Sequence, residues 1–324
     1  MLARLLVPLD RSAVAEQAIG HAVAIARACH AALDLVIVSE PEALSILSDD
    51  AAAVEAKVRT DTLYVRELAH EVSATECIPT THAVLRGEVV AGIAARARAI
   101  GADLIIMTSH GRTGLSRAWL GSVADGVIRS APAQVLMLRP TKERAMPAPC
   151  GLYRRILVPL DGSPEAREIL RPAATLAQCT NARIVLVRVV RPAPMITSDA
   201  SLALLYPLLL RDEVATTSLV DKAREELAEL ARQLAARGID VEHDVVVAEH
   251  VAVAVLDFAR ARGADLIAMS TTGRGTSRLV IGSLADKIVR GTELPVLFST
   301  PAHAVARTLI DAVRDEELSP ASPS

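Results

Sequence analysis

The chain has 324 residues, with 35 Lys and Arg against 38 Asp and Glu for a formal net charge of −3; it is 51% hydrophobic but only 2% aromatic. Its arginines are spread over the predicted helices and form no basic stripe of the kind that tracks a phosphate backbone, which sets nucleic acid aside as a partner. No run of about 18 apolar residues is free of charge or proline, and Met1-Leu2-Ala3-Arg4 leads straight into a strand without a cleavable leader, so the expectation is no membrane partner and a cytoplasmic address.

The elements follow in chain order. Leu5 to Leu9 is a short continuous apolar run, expected as a strand buried on both faces. Asp10 and Ser12 end it and cap a helix from Ala13 to Cys29. Leu33 to Val38 reads as the second strand, Glu42 to Thr75 as a long amphipathic helix and Thr80 to Leu85 as the third strand. Gly87 breaks that strand before a helix from Val89 to Ile100, and Leu104 to Thr108 makes the fourth strand. A loop from Ser109 to Leu120 precedes a helix from Ser122 to Arg129, and Val135 to Leu138 closes the set. Strands alternating with helices through short connections imply a parallel sheet with right-handed crossovers. Cores of Ala, Val, Leu and Ile favour that α/β class over a sandwich.

The pattern then starts again. Leu5-Leu6-Val7-Pro8-Leu9-Asp10-Arg11-Ser12 returns as Ile156-Leu157-Val158-Pro159-Leu160-Asp161-Gly162-Ser163, and the stretch from Met107 to Arg129 returns from Met269 to Arg290. Each copy is therefore one folding unit, and residues shared by both are the first site candidates. Pro140, Pro147 and Pro149 mark the boundary within Arg139 to Gly151, giving domains at 1–146 and 147–302 with a tail at 303–324. In the second copy, strands are expected near Ile156, Ile184, Val241 and Leu266, and from Val296 to Ser299. An apolar insert, Ser201 to Leu210, reads either as a short helix packed over the sheet or as an exposed docking patch. The tail ends in Ser-Pro-Ala-Ser-Pro-Ser, a composition unable to form a core. Cys29, Cys77, Cys150 and Cys179 show no ligand-like spacing and are expected as reduced thiols.

In open parallel sheets, ligands sit beyond the carboxyl ends of the strands where the winding direction switches. Asp10 and Asp161 follow the first strand of each copy and the glycine loops follow the fourth, so these segments are expected to meet at that edge. Thr108-Ser109-His110-Gly111-Arg112-Thr113-Gly114 lets backbone amides approach an anion closely. Gly121-Ser122-Val123 then offers a helix N-terminus whose amides and dipole favour negative charge by about 0.3–1 kcal/mol. The plainer alternatives are that Gly111 and Gly114 only form turns, that Ser122 is an N-cap, and that Asp10 is a loop carboxylate capping the first helix.

The loop resembles the G-x2-G-x9-G-[ST] signature of the universal stress protein family in its tandem form, and together with Val-Pro-Leu-Asp at both first-strand ends the resemblance covers residues 3 to 300. It implies two Rossmann-like domains of the adenine nucleotide alpha hydrolase-like kind, each a five-stranded parallel sheet flanked by helices. It also implies that the final strands pair the domains as a pseudo-dimer, that one branch of the family holds ATP, and a role in stress survival. Carried over by residue, Asp10 beside Pro8 and Leu9 would bond the ribose, the backbone around Val38 would read adenine, and Gly87 would let the chain pass close to the nucleotide. Thr108, Gly111, Arg112, Gly121, Ser122 and Val123 would surround the phosphates of Mg-ATP. Thr108 stands where the signature has its first glycine.

The second copy offers Asp161, Val189, Gly273, Gly282, Ser283 and Leu284 at the matching places. Its loop is one residue shorter, and Glu249 aligns with Gly87, setting a carboxylate near a polyphosphate. The first copy is thus expected as the better nucleotide site. Lys57, Lys142, Lys222 and Lys287 are the only lysines and none completes a G-x4-G-K-[ST] loop, which excludes a P-loop ATPase. No paired carboxylates or His-Glu-x-x-His cluster points to a metal hydrolase. His110 has Thr272 as its counterpart, which argues against a shared catalytic role. The expected function is a non-catalytic or slowly hydrolysing ATP switch acting on a protein partner, with a second copy of the chain as a further partner. The alternatives are an ATP-independent interaction protein using the insert around Tyr206, and a nucleotide-transferring enzyme.

Overall fold

The computed structural model describes residues 2–40, 51–109, 121–140, 153–192, 202–271 and 282–299, with the side chains of 51, 53 and 202–215 left aside. The chain divides into two compact units, one built on Met1–Leu152 and the other on Tyr153–Ser277 and Ile281–Val296.

The first unit runs β1 (Arg4–Leu9), α1 (Ala13–Cys29), β2 (Ala32–Ser39), α2 (Ala51–Glu76), β3 (Thr80–Arg86), α3 (Val89–Ile100), β4 (Leu104–Thr108), α4 (Ser122–Ser130) and β5 (Gln134–Leu138). Its strands lie in the order β3-β2-β1-β4-β5, and their pairs are parallel. Leu5 of β1 pairs with Leu33 on one side and Leu104 on the other. The chain therefore winds outward from β1 in one direction and later in the other, and the switch falls between β1 and β4. Every residue of β4 and β5 is buried, as a strand covered on both faces requires.

The alternation of β2 shows how the helices divide. Asp34 turns toward α3, where Arg96 reaches both of its carboxylate oxygens at 2.9 and 2.6 Å. Ser39, of opposite parity, turns toward α2 and meets Lys57 at 2.8 Å. Since successive side chains of a strand point to opposite faces, α2 and α3 cover opposite faces. Helix α1 lies beside α2, joined through Tyr64 to Glu16 at 2.6 Å and through Arg27 to Glu76.

The second unit repeats the plan as β6 (Arg155–Pro159), α5 (Pro164–Arg167), α6 (Leu170–Thr180), β7 (Arg183–Val190), α7 (Leu202–Ala235), β8 (Val241–Val247), α8 (Val251–Ala261), β9 (Leu266–Ser270), α9 (Ser283–Gly291) and β10 (Val296–Ser299). Its strand order is β8-β7-β6-β9-β10, and Ile156 of β6 pairs with Ile184 and Leu266 in parallel.

Two features depart from a plain repeat. The counterpart of α1 is split, with a break at Glu168 and Ile169. Pro172 causes it: in an unbroken helix its ring would strike the carbonyl of Glu168 and leave no amide to bond it, whereas in the first turn of a new helix proline is tolerated. The apolar insert is not a short separate helix, because residues 202–210 form the first turns of the 34-residue α7. The aliphatic character of this segment extends the helix, which runs through Pro207.

The halves also solve one packing problem differently. Asp34 is buried with Arg96, and Thr81 Oγ1 donates to it at 2.6 Å. The matching pair in the second unit is Val185 and Phe258, with Val185 buried.

Candidate nucleotide edge

Beyond β1 the chain makes the same turn in both units. Asp10 Oδ1 accepts the Ser12 amide at 2.9 Å and the Ser12 hydroxyl at 2.5 Å, and Ser12 Oγ in turn accepts the Ala15 amide at 3.1 Å. Asp161, Ser163 and Ala166 repeat this at 2.8, 2.5 and 3.1 Å. Ser12 and Ser163 are thus the N-caps. The aspartate folds the turn and orients the cap rather than capping the helix itself.

The residue inside each turn is left-handed: Arg11 has φ of 68° and Gly162 has φ of 86°. Glycine adopts this without penalty, but an arginine costs on the order of 1 kcal/mol. Its side chain supplies the return. Arg11 Nη1 lies 3.5 Å from Asp61 Oδ1, and its guanidinium sits 5.7 Å from the Tyr64 ring centroid. Asp61 is 0% exposed, and its other oxygen accepts Lys57 Nζ at 2.8 Å. That same ammonium donates to Ser39 Oγ. Burial, together with the bond to Glu16, pushes the Tyr64 phenol well above its ordinary value. One polar network therefore ties the β1–α1 turn to the end of β2 through α2. Sequence reading missed it, although Asp61 opens the buried stripe Asp61, Val65, Ala69 and Val72, where a carboxylate at an apolar position is itself a signal.

Among the described residues the second unit has no counterpart of the Asp61 and Lys57 network. The stripe there is Ala223, Leu227, Ala231 and Leu234, with the same spacing. An arginine arrives instead from β7: Arg188 bonds Glu226 at 2.6 Å and lies so close to Gly162 that a Cβ there would stand 2.6 Å from its guanidinium.

At the end of β4, Thr108 and Ser109 are buried. The Gly121 amide donates to the Ser109 carbonyl at 2.9 Å, and Gly282 does the same to Thr271 at 2.9 Å. Gly121 and Gly282 are the caps of α4 and α9, with no side-chain cap bond. Ser122 and Ser283 are therefore the first helical residues, which removes the alternative of Ser122 as a plain N-cap. The first-turn amides of Ser122 and Val123, and of Ser283 and Leu284, face the edge without a side-chain cap, as an anion site needs. Gly111, Arg112, His110, Gly114, Trp119 and Gly273 lie outside the described residues.

Around β3, the Gly87 amide donates to the Ser39 carbonyl at 3.1 Å with φ of 128°, a glycine conformation. Val38 packs its side chain under α3, where a Cβ on Gly92 would come within 2.9 Å of its methyls. Pro8 and Leu9 lie in β1 beside Val36 and Ile37. Val189 takes the place of Val38 in β7. One assignment changes: the bond matching that of Gly87 is made by the Ala248 amide to Val190 at 3.0 Å. Ala248, not Glu249, is thus the counterpart of Gly87, and Glu249 is an extra, exposed residue before the His250 cap. The repulsion expected from Glu249 loses its structural basis, because the strand register decides the alignment and the sequence spacing had hidden the extra residue.

Among the described residues no group of three His, Cys, Asp or Glu is placed to hold a metal ion, and no helix is long and apolar enough to cross a membrane. The described cysteines, Cys29, Cys77 and Cys179, are free of disulfides.

Two doubly wound α/β units, each with an Asp-x-Ser turn after its first strand and a glycine-capped helix after its fourth, define a tandem Rossmann-like protein. The chain belongs to the universal stress protein family, whose profile matches residues 1–139 and 152–299. It is 29% identical over 149 residues to a universal stress protein of Methanocaldococcus jannaschii, spanning 45% of this chain and 81% of that one. It is also 29% identical over 147 residues to one of Thermus aquaticus, spanning 45% and 98%. Among solved structures, a universal stress protein of Archaeoglobus fulgidus superposes with a TM-score of 0.66 at 18% identity, over 92% of this chain and 96% of that one, a likeness of fold.

Proposed function

We propose that the first unit binds Mg-ATP at the carboxyl edge between β1 and β4 and acts as a switch without catalytic turnover, tuning the docking of a protein partner in the cytoplasm. The observation that supports this reading is that the Asp10 turn and the glycine-capped N-terminus of α4 both follow the carboxyl ends of the paired parallel strands β1 and β4. Asp10 would hold the ribose, the backbone at Val38 the adenine, and the amides of Ser122 and Val123 the phosphates. Bound at 100 times its dissociation constant to one conformation only, ATP would favour that conformation by about 2.7 kcal/mol, enough for a switch. Cys29, Cys77 and Cys179 are outside any disulfide, which suits a reducing compartment.

Calorimetric titration of nucleotide-stripped protein with Mg-ATP tests the proposal. One site per chain, near micromolar strength or about −8 kcal/mol, is the expected result. Two equal sites would overturn the asymmetry, and no heat at either would point to an ATP-independent interaction protein.

A further inference from the structure

We infer that Asp61 is a positioning residue for the nucleotide edge of the first unit: through Arg11 and Lys57 it holds the β1–α1 turn and the end of β2 in their binding arrangement. The inference rests on the nucleotide reading above only for its functional arm, since the conformational claim stands on the network alone.

Three observations converge on Asp61. The first is where its partners come from. Arg11 lies in the turn that presents Asp10, and Lys57 bridges to Ser39, the residue after Val38. One buried carboxylate thus reaches both segments that would contact the nucleoside, from a third element.

The second is conformational. Arg11 holds a left-handed backbone that the other half gives to Gly162. A turn built on arginine needs its side chain anchored to stay in that region, whereas a turn built on glycine does not. The anchor is the carboxylate of Asp61 together with the ring of Tyr64.

The third is the comparison of the halves. Where the turn carries Gly162, the stripe position of Asp61 is Ala223 and that of Lys57 is Leu219, so turn residue and anchor differ together. The second unit is a working description of the first without a turn side chain to anchor, its Gly162 lying against Arg188 of β7, which Glu226 holds. It predicts that a glycine at position 11 makes the carboxylate at 61 dispensable, a compensation that no purely packing role would produce.

The test uses the full-length chain. Exchange of the Ser12 amide, which is bonded to Asp10, reports the turn without any nucleotide. Asp61→Ala should speed that exchange at least tenfold, and the double variant Asp61→Ala with Arg11→Gly should return it to within threefold of the parent. Asp61→Asn, which preserves shape, should give the same direction of change if the alanine variant folds poorly. With Mg-ATP, Asp61→Ala should weaken binding about tenfold and the double variant should recover most of it. Unchanged Ser12 exchange in both single variants would overturn the inference, as would a double variant no better than Asp61→Ala. A parent protein that does not bind ATP would instead overturn the proposed function, leaving the exchange measurement to decide the role of Asp61.

Discussion

The amide of Gly121 donates to the carbonyl oxygen of Ser109 at 2.9 Å, and the amide of Gly282 donates to that of Thr271 at the same distance. This bond pinches the two ends of each glycine-rich loop together, so the one-residue difference between the loops is confined to 110–120 and 272–281. It also sets the shape of the cap, because the glycine is pressed against the carbonyl it bonds.

A side chain at Gly121 is therefore costly to the fold as well as to binding. A Cβ there would lie 3.2 Å from the Ser109 oxygen, which is backbone and gives way little. Gly121→Val should lose nucleotide binding and also lower stability by about 1 kcal/mol, as overpacking of a tight site does. Thermal unfolding alongside ATP titration checks both. Since φ at Gly121 is −68°, the cost comes from the close approach and not from backbone strain. Gly282→Val, with 3.3 Å to the Thr271 oxygen, should show a similar loss of stability.

Glu168 offers a substitution that should stabilise. Its Oε2 is buried without a hydrogen-bond partner, and burial, aided by the charge of Glu165, raises its pKa. The matching residue of the first unit is Gln17. A carboxyl whose pKa is higher folded than unfolded binds more protons in the native state, so stability falls as pH rises from the unfolded value, near 4.3, through the folded one. Glu168→Gln removes that loss and should add about 0.5–1 kcal/mol at neutral pH, a figure reduced for partial exposure. The gain should vanish once the solution is acidic enough to protonate Glu168. Urea unfolding at a series of pH values measures it; a gain independent of pH would assign the effect to something other than the charge.

The pair of buried Asp34 and half-buried Arg96 can be exchanged for the residues used by the other half. Arg96→Ala strands a buried carboxylate, still held by Thr81, and should cost roughly 3 kcal/mol. The double substitution Asp34→Val with Arg96→Phe, copying Val185 and Phe258, should recover most of that loss, because well-packed apolar groups often replace a buried ion pair at little cost. Denaturant midpoints of the single and double variants give the coupling directly. A double variant as unstable as Arg96→Ala would mean that α3 cannot accept the ring without repacking.

How legible all this was depends on the range of the interaction. The strands were plain because Leu5 to Leu9 and Leu104 to Thr108 are uninterrupted apolar runs, and the repeat fixed the tandem fold. The Asp-x-Ser turn was visible as a motif, yet its division of labour was not, since only the geometry shows Ser12 capping and Asp10 orienting it. The alignment of Glu249 with Gly87 failed because an inserted residue next to a helix cap leaves no mark on the hydrophobic pattern; the hydrogen bond of Ala248 settles it. The Arg11, Asp61, Lys57 and Tyr64 network joins residues about 50 positions apart. No local pattern reports such a contact, although a carboxylate in a buried helical stripe announces that some partner exists.

Asp10 and Asp161 provide the sharpest separation of structure from binding. Both make the same pair of bonds to the following serine, at nearly the same distances. Asp10→Ala and Asp161→Ala should therefore cost each unit a similar amount of stability, about 1 kcal/mol for a weakened cap. Nucleotide affinity should split them: loss of a carboxylate bonded to the ribose is worth about 1.5–3 kcal/mol, some ten- to a hundredfold in dissociation constant. Only Asp10→Ala should show that loss, because the glycine-rich loop of the second unit is one residue shorter. Thermal unfolding of the two variants in the absence of ATP, followed by titration with Mg-ATP, measures the shared term first and the unshared one second. Equal losses of affinity would mean that both units hold nucleotide and that the left-handed arginine serves the turn alone.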